Sequence, residues 1–136
     1  FFVFLLIGCG GCGFNLLGPT QAQEKTVTIH DYTQGQFIDQ PLLRSAIRYN
    51  ETQRGALQSV TISVYSRTDN LWGRAEIGGT KVYLYYLIDD ADQDMIQTLY
   101  HELDHLRKFQ HSTMPSEEFY MTMAGEFLKT RRRVVK

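Results

Sequence analysis

The residues best suited to chemistry are His101-Glu102-Leu103-Asp104-His105, which read H-E-x-x-H. On a helix, residues four apart share a face, so His101 and His105 can offer two imidazole nitrogens to one ion. Glu102 then sits about 100° round the axis from His101, close enough to hold a water on that ion. Two neutral imidazoles and a carboxylate-activated water are the chemistry of a hydrolytic zinc site. The pattern therefore points to Zn2+, with His101 and His105 as ligands and Glu102 as the base. Taken alone the pentad also arises by chance, because His and Glu are tolerated on helix surfaces.

The 136 residues carry a formal net charge of -1. That is one small domain's worth of chain, enough for a single core. Nothing in the overall charge suggests nucleic acid. The chain opens on Phe and not Met, so a missing start is expected. Phe1 to Ile7 is an unbroken apolar run, like the hydrophobic part of a secretory signal. Residues 1–22 are thus expected to be a leader, and 23–136 the globular domain. Leu6-Ile7-Gly8-Cys9 resembles a bacterial lipoprotein box, which would tether the protein to a membrane at Cys9. A cleavage site near Thr20-Gln21-Ala22, or an uncleaved anchor, are the alternatives. Each of these predicts an extracytoplasmic location, secreted or membrane-anchored. Both cysteines, Cys9 and Cys12, fall in this leader, so the globular part has no Cys nucleophile and no disulfide framework.

The helix carrying the pentad needs a scaffold, and the sequence supplies one. Thr26 to Tyr32 alternates as a strand does. Pro41 opens an amphipathic helix with Leu42, Leu43, Ala46 and Ile47 on one side, Asp39 or Gln40 as cap and Gly55 as stop. Ser59 to Tyr65 is a β-branched, alternating strand. Gly73–Ile77 and Thr80–Leu87 read as a hairpin turning at Gly78-Gly79. The second of these is apolar or aromatic on both faces, so it is expected to be covered on both. Met95, Ile96, Leu99, Leu103 and Leu106 mark the buried face of a helix from about Asp92 to Gln110. Ser112 to Pro115 breaks it, and Ser116 caps a last helix that ends in Lys129 to Arg133. The expectation is an α+β domain with a three- to four-stranded twisted sheet.

This order, with His101-Glu102-x-x-His105 and the helix after it, resembles the upper half of a zincin catalytic domain, most nearly a minimal gluzincin peptidase. The resemblance covers roughly Asp39 to the C-terminus. It implies zinc-dependent hydrolysis of a peptide or protein substrate lying along a sheet edge, here Thr80–Leu87 or its hairpin partner. It also implies a third zinc ligand on the last helix. Ser116-Glu117-Glu118 is similar to the ligand-bearing start seen in short-turn members, which favours Glu118, with Glu117 and Glu126 as alternatives. Phe119 stands where that family often has alanine. His111 competes, because His101, His105 and His111 have the metzincin spacing. That class turns its chain at a glycine, however, and Lys108 stands there and favours continued helix. Tyr120 and Tyr86 are candidate oxyanion donors, and Asp104 either orients a neighbour or faces solvent. A non-catalytic zincin-fold binding or sensor module is the alternative function.

Overall fold

The computed structural model describes residues 26–34 and 38–135; the expected leader and Cys9 lie outside the described residues. The chain forms β1 (Val27–Tyr32), α1 (Gln40–Arg54), β2 (Val60–Ser66), β3 (Gly73–Ala75), β4 (Lys81–Tyr86), α2 (Asp92–Leu106), a short 3-10 turn (His111–Thr113) and α3 (Glu117–Val135). It is an α+β domain with one four-stranded mixed sheet, ordered β1-β2-β4-β3. β1, β2 and β4 run parallel, and β3 pairs antiparallel with β4. Among the described residues no helix is long and apolar enough to cross a membrane.

Alternation in the strands sorts the side chains. Val60, Ile62, Val64, Val82 and Leu84 turn to the helices and are buried. From the other side come Leu43, Ala46 and Ile47 of α1, Ile96, Leu99, Tyr100 and Leu103 of α2, and Tyr120 and Ala124 of α3. Each large apolar side chain so enclosed contributes about 1.5–3 kcal/mol relative to exposure. Asp39 caps α1 by accepting from the Leu42 N–H at 3.0 Å, with Pro41 in the first turn.

The expectation that β4 is covered on both faces needs correction. Val82, Leu84 and Tyr86 are buried, but Tyr83 and Tyr85 are only half-buried. Parallel in-register pairing places Tyr32, Tyr65 and Tyr85 side by side on that outer face. Their rings stack, with centroids 5.1 and 6.0 Å apart. Aromatic ring is thus shielded sideways by aromatic ring, and among the described residues no further layer covers that face.

The hairpin turns where the glycines predict. Gly79 N–H donates to Glu76 O at 3.0 Å, and Gly78 takes φ +76° between them, which a glycine accepts without steric cost. Gly78 N–H also donates to His105 O at 2.9 Å, so the hairpin tip is fastened to the end of the pentad helix. β3, not β4, is the sheet edge beside α2.

Candidate metal centre and its cleft

α2 ends at Leu106, four residues before the sequence pattern does. The ending is a Schellman motif: Phe109 N–H donates to Asp104 O at 3.1 Å and Lys108 N–H to His105 O at 2.9 Å. The residue that must go left-handed in this motif is Lys108, with φ 78°. The sequence reading has Lys108 extending the helix; instead it occupies the reversal position that glycine usually fills. A continued helix would put His111 about 240° round the axis from His105 and about 9 Å beyond it. The reversal returns His111 instead, on a turn pinned by Thr113, whose hydroxyl donates to Gln110 O at 3.0 Å.

His101, His105 and His111 consequently form one group, a ring nitrogen from each lying within 4.8 Å of the others. His105 Nε2 and His111 Nε2 are 3.3 Å apart. Two nitrogens each about 2.0–2.1 Å from one tetrahedral zinc would be about 3.3–3.4 Å apart, so this spacing suits a shared ion. On His105 and His101 the other ring nitrogen is engaged. His105 Nδ1 lies 2.9 Å from Phe109 O, an acceptor only, so Nδ1 carries the proton and Nε2 keeps its lone pair. His101 Nδ1 lies 2.5 Å from Glu117 Oε2, the carboxylate–histidine pairing that fixes a ligand's tautomer and raises its basicity. The three imidazoles could therefore hold a metal ion, with the His105–His111 pair at a shared-ion spacing.

The structure gathers His111, and not Glu118, beside the two helix histidines. Glu118 and Glu126 are exposed on α3 and lie outside the group. Glu117, one residue earlier on the helix, is the carboxylate that reaches His101, and it also accepts from Gln97 Nε2 at 3.1 Å.

Glu102 is buried, with 6% of its surface exposed, and its carboxylate has no hydrogen-bond partner among the described residues. Burial, with the nearby Glu117 charge, pushes its pKa up to about 7. It lines a cleft of about 480 Å³ together with His101, Thr98, Asp94, Trp72 and Gly73. The close approach of β3 to α2 there depends on Gly73. A Cβ on it would come within 2.7 Å of Thr98 Cγ2 and 3.2 Å of Glu102 Cγ.

Asp104 is fully buried, and of its two expected roles it takes the orienting one. Its Oδ2 accepts from Tyr120 Oη at 2.6 Å and from Arg54 Nη2 at 2.5 Å, and its Oδ1 from Arg107 Nη1 at 2.9 Å. Arg107 Nη2 continues to Asn50 Oδ1 at 2.6 Å and Gly55 O at 2.7 Å. The cluster clamps the end of α1 and the start of α3 onto α2, next to the histidines. The Tyr120 ring is 5.7 Å from the His101 ring. Burial, and then the Asp104 carboxylate, raise the Tyr120 pKa. Its hydroxyl proton is thus given to Asp104, and neither Tyr120 nor Tyr86 is among the residues lining the cleft. Among the residues lining it, Asn70 carries a side-chain amide with no hydrogen-bond partner among the described residues, and Gln97 has a second amide N–H beyond the one given to Glu117.

Comparison of the chain with protein families, with curated proteins and with solved structures gives no match.

Proposed function

We propose that the chain is a zinc-dependent peptidase whose ion is held by His101, His105 and His111, with Glu102 as general base. The observation that carries this reading is the group of three imidazoles beside Glu102, a carboxylate with no hydrogen-bond partner among the described residues, with His101 and Glu102 both lining one open cleft. His101, His105 and His111 would hold the zinc, which would supply Lewis-acid polarisation of a carbonyl and a water acidified toward neutral pH. Glu102 accepts the proton of the attacking water and returns it to the leaving amine. Glu117 holds the His101 ring, and Phe109 O holds the His105 ring, so neither must reorient during turnover. β3 offers its outer edge beside the cleft, where an extended peptide can pair with free backbone groups.

Glu102→Gln separates metal binding from chemistry. It should retain one zinc per chain by mass spectrometry and lose peptide hydrolysis by about 10²-fold or more. His105→Ala should lose both. A Glu102→Gln protein as active as the parent would sink the assigned base. A parent that binds zinc yet cleaves nothing would leave a metal-binding module in place of a peptidase.

A further inference from the structure

We infer that the cleft selects peptides with a Lys or Arg side chain beside the scissile bond, and that Asp94 is the counter-charge. This deepens the peptidase reading and rests on the cleft being the substrate site. One stripe of α2 forms its floor: Asp94, Gln97 with Thr98, then His101 with Glu102, spaced as one helix face. Asp94 lies about 12 Å along the axis from Glu102, at about 1.5 Å per residue. A residue held at the reacting end needs a long side chain to reach it. Asn70, Trp72 and Gly73 form the opposite wall, where an aliphatic stem can lie against the indole.

The charges along the cleft have one sign. Asp94, Glu102 and Glu117 line it, and no Lys or Arg does. Two of the three are committed: Glu117 to His101 and Gln97, and Glu102, buried and unpartnered, to the reacting end. Asp94 has no side-chain partner among the described residues and is exposed at the far end. Nearby cations do not compensate it. Arg67 stacks on the Trp72 ring at 3.7 Å, but both its terminal nitrogens bond Asp90, at 2.7 and 3.0 Å. Arg74 is turned to the outer face, where its Nε donates to Tyr85 Oη at 3.1 Å. Asp94 also sits in the first turn of α2, where a carboxylate favours the helix dipole, but Asp92 shares that position.

Trp72 is the single tryptophan of the chain, so its emission reports on the cleft without any need for turnover. The full chain, freed of metal by a chelator and kept at pH 8, would be titrated with blocked Ala-Ala-Arg-Ala-Ala and with its Glu counterpart. The Arg peptide should bind about two- to five-fold more tightly, the scale of one partly exposed ion pair. Asp94→Asn should abolish the preference and Asp94→Lys should invert it, while added salt should shrink it in the parent. Equal binding of the two peptides, or a preference that survives Asp94→Lys, overturns the inference. If Asp94 serves the helix alone, its variants will lower stability and leave the peptide preference untouched. A parallel digest of a mixed peptide pool by the zinc-loaded parent should place cuts beside Lys and Arg. Charge-selective binding with no cuts at all would remove the peptidase reading and leave the ligand class standing; cuts without charge preference would do the reverse.

Discussion

Replacing Lys108 by glycine should stabilise the protein, although Lys108 follows a helix and glycine is the poorer helix former. With φ 78°, Lys108 holds a left-handed conformation that costs a side-chain-bearing residue about 1–2 kcal/mol. Glycine removes that cost but gives the unfolded chain more freedom, worth about 0.5–1 kcal/mol in the other direction. The net gain is about 0.5–1 kcal/mol, or a rise in Tm of about 2–5 °C for a domain of this size. Lys108 is exposed, and among the described residues no hydrogen bond of its side chain offsets this. Urea and thermal unfolding, followed by circular dichroism, would measure the change. Lys108→Gln keeps the conformational cost and removes the charge, so it should be near neutral. Lys108→Val places a branched Cβ in the same conformation and should destabilise. A loss of about 1 kcal/mol in Lys108→Gly, the penalty of glycine inside a helix, would refute the reasoning. It would mean that α2 runs on through Lys108 and carries His111 away from the other two histidines.

Gly73→Ala should cost about 1–3 kcal/mol in urea unfolding, because its Cβ meets Thr98 at 2.7 Å and Tyr83 O at 3.2 Å and the edge strand must move off α2. The same shift reaches Glu102, so the folded variant should hydrolyse peptides more slowly than the parent while still binding zinc; unchanged stability would contradict the close packing. Asp90 gives a pH dependence. Burial acts to raise its pKa, but the bonds from Arg67 and the Leu87 N–H outweigh it and leave the pKa lowered. A lowered folded-state value means stabilisation that is complete above the unfolded carboxylate pKa of about 3.9 and is lost as pH falls through the folded one. The stability gap between parent and Asp90→Asn, measured in urea, should be full at pH 6 and should close below about pH 4. A gap that is independent of pH would contradict the ion pair.

Much of this arrangement was readable because burial imposes a period on the sequence. Leu99 and Leu103 mark the inner face of α2, and the phase of that face sets His101 and His105 toward one side. Asp39-Gln40-Pro41 marks a helix start, and Gly78-Gly79 marks a hairpin tip that the structure fastens to His105. The third histidine, His111, was ranked behind Glu118 by a local rule that tertiary structure overrides. A lysine promises more helix, yet the Phe109 and Gly78 N–H groups both find carbonyls at the end of α2, and together they favour the reversal. Which acid of Glu117 and Glu118 faces the histidines depends on the rotation of α3 about its axis, a tertiary quantity; one residue changes the direction by about 100°. Tyr120 illustrates a different limit. Its type suited catalysis, but Asp104, which looked like an ordinary helix acid, draws its hydroxyl into a buried cluster with Arg54 and Arg107.

The central claim is that three imidazoles, the third returned by the turn at Lys108, make one ion site. Zinc binding to the parent, His111→Ala and Glu118→Ala, measured by competition with a chromophoric chelator, tests it most directly. One zinc per chain is expected in the parent and in Glu118→Ala at matching affinity, and a loss of about 10²-fold or more in His111→Ala. Retained affinity in His111→Ala with loss in Glu118→Ala would contradict it and hand the third position to the helix carboxylate.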